Sequence, residues 1–184
     1  YRPGDAGDTS VVGWQVMALK SAQMAGLNVP QGTLNKASGY LSRVRRGKDK
    51  AEFGYQNSGG GTPAMTAEGL LCYQYLGAKA GDPLLMRTVE VLADRPPKSG
   101  QDTSYYWYYG TQAMFHVQGE PWELWNNALQ EAVLSRQEKD GVNVGSWNPR
   151  DKWEKSGGRI MSTSLRLLML EVSFRHLPLY QALD

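Results

Sequence analysis

The sequence predicts an all-α fold of about seven helices, set out as successive hairpins with an inner and an outer layer. Three observations carry this reading. Seven segments show helical spacing of apolar residues between polar caps and Gly or Pro stops, and no strand pattern of useful length interrupts them. The segments alternate between apolar all round and apolar on one side, which separates buried helices from surface ones. The chain also turns repeatedly at Ala25-Gly26, Ala80-Gly81 and Gln118-Gly119, corners 55 and 38 residues apart, with a fourth at His176-Leu177-Pro178. Hairpins repeated at unequal periods build a curved α/α array or ring.

The first helix spans 8–26. Asp8, Thr9 or Ser10 caps its start, because a side-chain oxygen there accepts from the open N–H groups of the first turn. Gly26 and Pro30 stop it. The second, 33–46, places Leu34, Ala37, Tyr40, Leu41 and Val44 on one stripe. The basic, glycine-rich stretch through RVRRGKDK and NSGGGTP reads as a flexible connection. A third helix starts near Pro63 or Thr66 and runs to Ala80. Pro83 suits the first turn of a fourth, 83–94, which Pro96-Pro97 ends.

Asp102, Thr103 and Ser104 repeat the opening of the first helix and begin a fifth, which reaches Val117. Its Tyr105, Tyr106, Trp107, Tyr108, Tyr109, Ala113, Met114, Phe115 and Val117 point in all directions, so it reads as an inner helix. The sixth, 121–137, is amphipathic and outer. A long loop from Glu138 leads to the seventh, 159–176, apolar all round and therefore read as inner.

Charge excludes some partners. Against 20 Lys and Arg stand 18 Asp and Glu, too even a balance for a nucleic-acid or anionic-membrane surface. One cysteine, Cys72, leaves no internal disulfide and no Cys-rich zinc module. No apolar run approaches the roughly 18 residues of a membrane span. The large rings are 6 Trp and 10 Tyr against 3 Phe, and rings with a polar handle suit half-wet surfaces. A chain opening at Tyr1 is expected to be a processed product or part of a longer protein, with the compartment left open.

Three stretches carry a resemblance: WYYGTQAMFHVQGEPWELWNNAL at 107–129, LSRQEKDGVNVGSWNP at 134–149 and GGRIMSTSLRLLMLEV at 157–172. With Gln137 followed by Gly145-Ser146-Trp147, they resemble the α/α-toroid superfamily of terpenoid cyclases and protein prenyltransferases, in particular bacterial prenyltransferase/squalene-oxidase repeat proteins. The likeness implies that glutamine and tryptophan tie a helix end to the next loop. It also implies an incomplete toroid here, since a closed ring of that family holds about six hairpins. The family's catalytic words are missing: no Asp-x-Asp-Asp acid, no carboxylate two positions before Cys72 to build the zinc set, and no Cys-Gly-Glu-Gln thioester.

The remaining chemistry is sparse. His116 and Glu171 are the catalytic candidates, with Glu68 as a second inner-helix carboxylate whose burial would raise its pKa. Cys72 and His116 are too few for zinc, which takes three or four protein ligands, and no metal or cofactor is expected. Trp14, Tyr105, Tyr106, Trp107, Tyr109 and Trp147 are the ligand-cleft candidates, with Trp153 nearby. The chain is thus expected to be a noncatalytic module binding an isoprenoid, a sugar or a peptide. The rival reading is a divergent enzyme acting on an isoprenoid or polysaccharide in the same aromatic cleft. A second copy, or another domain of a parent protein, is the partner expected across the open edge of the arc.

Overall fold

Polar side chains cap the starts of several helices. The computed structural model describes residues 2, 4, 6–98 and 103–176, and they form eight α-helices and one two-stranded ribbon. Asp102 and Pro178, expected to cap one helix and break another, lie outside the described residues. The described residues fall into two compact units, within Tyr1–Leu92 and Ala93–Asp184.

In the first unit, Asp8 accepts from the N–H of Val11 and opens α1, Thr9–Met24. Gly26 takes a positive φ of 75° and turns the chain. Helix α2, Gln31–Arg43, follows. Strands β1, Arg45–Arg46, and β2, Glu52–Phe53, then pair antiparallel with Arg45 opposite Phe53. Thr62 caps α3, Pro63–Tyr75, through the N–H of Met65. Asp82 accepts from the N–H groups of Leu84 and Leu85 at the start of α4, Pro83–Ala93. Helix α1 packs on α3 and α2, closing a core of Val16, Leu41, Val44, Phe53, Met65 and Cys72. Helix α3 ends at Tyr75 rather than Ala80, because Gly77 already turns the chain at φ 101°.

The connection expected to be flexible is held by two arginines. The Arg46 guanidinium donates to the carbonyls of Arg43, Arg45, Gln56, Asn57 and Gly59. Arg45 lies 4.7 Å from the ring centres of both Phe53 and Tyr73. The basic cluster therefore organises the glycine-rich loop from within.

In the second unit, α5, Ser104–Val117, turns directly into α6, Gly119–Leu134, through positive φ at Gln118 and Gly119. Trp125 of α6 fits against Gly110 of α5, where any Cβ would collide with the indole. Its N–H donates to the Thr111 hydroxyl at 3.0 Å. Helix α7, Lys152–Leu170, begins seven residues before the expected start and breaks at Gly158, whose φ is 75°. Helix α8, Val172–Arg175, follows it. Helices α6 and α7 both pack on α5.

Each unit contains a joint of the same kind. The main-chain N–H of Phe53 donates to the Thr66 hydroxyl at 3.1 Å, and that of Trp147 to the Thr163 hydroxyl at 3.2 Å. Both rings are closed to solvent, and both precede the helix whose threonine they meet. The same local device is thus used once in each unit.

The inner-helix reading holds for α5, buried from Tyr106 through His116, and for α3, where all but a few residues are closed to solvent. It does not hold for α1, the first odd-numbered helix, where only Thr9, Gly13 and Val16 are buried, and it needs correction at α7. There Ile160 is 83% exposed and Leu167 42%, so an apolar circumference did not mean burial on every side. Among the described residues, no helix is long and apolar enough to cross a membrane.

Candidate functional site

The polar centre of the second unit is Asp151. Its carboxylate accepts from the N–H and hydroxyl of Ser104 and from the N–H groups of Trp153 and Glu154. One side chain thus caps α7 and fixes the first residue of α5. Burial alone would raise its pKa, but the four donors outweigh that and hold it below the usual carboxylate value. Glu154 lies behind it, fully buried, ion-paired with buried Arg166 and accepting from the N–H of Arg150 at 2.8 Å.

This clamp presents a group of rings. Tyr105 follows Ser104, and Trp153 follows Asp151 by two positions, so the carboxylate sets the backbone of both. Their ring centres lie 6.1 Å apart, edge to face. Tyr105 stacks on Tyr109 at 6.3 Å, and Tyr109 meets Tyr108 at 5.1 Å. Trp153 keeps 52% of its surface in water, and the Lys152 ammonium sits 4.5 Å from its ring centre.

The other expected cleft rings have different duties. Tyr106 donates its hydroxyl to the Arg95 carbonyl at 2.7 Å, and burial pushes its phenol pKa up. Trp107 and Trp147 are closed to solvent, so they are core rings that show a ligand no face. Trp147 donates its indole N–H to the Val133 carbonyl at 2.7 Å. Tyr109 is buried beneath Tyr105. Trp14 belongs to the first unit, with 54% of its surface exposed.

The expected catalytic pair is likewise redistributed. Glu171 is exposed at the C-terminal end of α7, so the buried setting expected for it is absent. His116 is buried in the last turn of α5, its ring edge-to-face with His176 at 5.9 Å. Burial, with Arg175 adding to it, lowers the His176 pKa. Glu68 is buried on α3 against α1, where Gly13 leaves it room. Burial pushes the Cys72 thiol well up, and the Glu68 carboxylate adds to the rise, so at neutral pH this sulfur is a protonated core group. Among the described residues, no three His, Cys, Asp or Glu side chains gather as a metal ion would need.

Asp151 and Lys152 escaped the sequence reading because they fell in an expected loop. A signal was present: Asp151 followed three positions later by Glu154 is a helix-start pattern. Compared with known proteins, the chain matches no family model, no curated protein and no solved structure.

Proposed function

We propose that the chain is a noncatalytic binding module of the α/α-toroid kind, and that its ligand lies on the Tyr105–Trp153 surface of the second unit. The observation that carries this is Trp153: a large ring held in place from its backbone, yet 52% exposed. Half an indole left in water forgoes roughly 2 kcal/mol of burial, which a stacked ligand would recover. The neighbouring carboxylates support a binding role over acid–base chemistry, since Asp151 serves helix starts and Glu154 serves Arg166. Kinship with the toroid superfamily is supported by the tie the resemblance implies. Gln137 donates to the Gly145 carbonyl at 3.0 Å while the Trp147 indole reaches back to Val133 at the end of α6.

The test follows the indole N–H of Trp153 by NMR while farnesol, cellohexaose, hexagalacturonate and a poly-Glu peptide are added separately. At least one probe is expected to shift that signal, and Trp153→Ala should bind that probe at least tenfold more weakly at unchanged melting temperature, which is about the worth of one stacked ring. Binding that survives Trp153→Ala would move the site elsewhere. Shortening of either oligosaccharide during incubation would replace a binding module with an enzyme.

A second reading, self-association, is favoured by one surface. On α7 and α8, Ile160, Leu167 and Phe174 recur every seven residues, with exposures of 83%, 42% and 90%. Ser164 and Glu171, also exposed, lie between them. An exposed apolar residue at every seventh position supplies one of the two rows of a helix seam. If a second copy covers it, light scattering will give a mass above the 20.4 kDa of one chain, and Ile160→Glu with Leu167→Glu will return it to one. A single-chain mass at high concentration removes the reading.

A further inference from the structure

We infer that the Tyr105–Trp153 surface selects an acidic carbohydrate, a sugar ring bearing a carboxylate. This rests on the proposed binding role of that surface and adds the chemical class of its ligand.

The first argument is local charge. The whole chain is close to neutral, at +2, but the neighbourhood of Trp153 is not. Residues 150–155 hold three cations, Arg150, Lys152 and Lys155, and two carboxylates, Asp151 and Glu154. Both carboxylates are engaged inward. Asp151 answers Ser104, Trp153 and Glu154, and Glu154 is buried against Arg166. All three cations are exposed. The charge that residues 150–155 offer to solvent is therefore positive, with Lys152 directly on the indole.

The second argument is the shape of the apolar surface. A tryptophan half open to water, with the Tyr105 ring steeply inclined beside it, can cover one small flat apolar face and leave the rest of the ligand wet. A pyranose is such an object: C–H groups on one face and hydroxyls around its rim. An isoprenoid chain fits poorly, because most of its length would stay in water on so open a surface. A nucleic-acid strand calls for a groove of cations tracking successive phosphates together with stacked rings, whereas the cations here lie within six residues of one segment. A ring carboxylate beside the stacked face would meet Lys152 in a charge-assisted hydrogen bond, stronger than a neutral one.

The deciding experiment compares hexagalacturonate with cellohexaose, using poly-Glu as the charge control, on the intact chain. Hexagalacturonate should bind, weaken as salt is raised, and lose about tenfold in affinity on Lys152→Gln, the worth of one charged hydrogen bond. Cellohexaose should bind at least tenfold more weakly and be indifferent to Lys152→Gln. Equal binding of the two sugars would overturn the acidic preference while leaving the binding surface standing. Poly-Glu binding as tightly as hexagalacturonate would also overturn it, leaving plain charge attraction. A Trp153 signal that only farnesol moves overturns it in favour of an isoprenoid. A signal that no probe moves removes the inference and the binding reading together.

Discussion

Arg166→Met is expected to destabilise the chain by about 3–5 kcal/mol, because it strands a buried carboxylate. Glu154 and Arg166 are both closed to solvent, and their ion pair is the counter-charge each was buried with. After the substitution Glu154 keeps the N–H of Arg150 as a donor, which does not replace a guanidinium. The loss should appear as a lower urea midpoint at unchanged slope. Removing both charges, in Glu154→Leu with Arg166→Met, should recover most of it, since a buried pair is often no more stabilising than apolar residues of similar size. A single variant within about 1 kcal/mol of the parent would mean that water reaches Glu154 once Arg166 is gone. The ring surface adds a second readout. Glu154 follows Trp153 directly, so Arg166→Met should also broaden the Trp153 indole signal, whereas the double variant should restore it.

Where the chain reveals its fold in advance, it does so through local rules. Asp8 was among the caps expected for the first helix, and the structure uses it; Pro63 and Pro83 marked the starts of two more helices, which Thr62 and Asp82 cap. The Gln118-Gly119 corner was legible because few residue pairs other than those containing glycine accept such a turn. The misreadings arise where two local signals compete or a distant group decides. Gly77 and Gly81 are both stop signals with positive φ, and the earlier one ends α3. The start of α7 was hidden by Pro149 before it and by Gly157-Gly158 within it, although Asp151 and Glu154 carried a cap pattern. The glycine-rich loop looked free because its order comes from Arg46, ten and more residues away.

The candidate site was half legible for a related reason. Composition correctly placed polar-handled rings in the fifth helix, but it could not say which would be wet. Tyr106 found a carbonyl, Trp107 went into the core, and Tyr105, next to the Ser104 that Asp151 holds, stayed half-buried. Burial is decided by the neighbours a helix face acquires, and α7 makes the same point in reverse. Its apolar circumference forecast an inner helix, yet the face bearing Ile160 and Leu167 is open, while Ser162, Arg166 and Met169 face inward.

Trp147→Ala should be among the most damaging single changes in the second unit, at about 3–5 kcal/mol for a fully buried tryptophan. Three attachments meet at this residue. Its ring is closed to solvent, its indole N–H holds the Val133 carbonyl at 2.7 Å, and its main-chain N–H holds the Thr163 hydroxyl at 3.2 Å. The alanine variant keeps only the last. Trp147→Phe keeps a ring and the main-chain tie but not the indole bond, so its cost should be much smaller, about 1–2 kcal/mol from one hydrogen bond and some lost volume. Phe53 shows that a phenyl ring can fill the corresponding place, since the first unit builds the same joint to Thr66 without an indole. Urea unfolding of both variants separates the contributions. If Trp147→Phe costs as much as Trp147→Ala, the indole bond to the end of α6 is what fastens the joint, and the ring merely accompanies it. If the two differ as expected, ring burial is the shared structural device of both units, and the bond to Val133 is an addition made in the second.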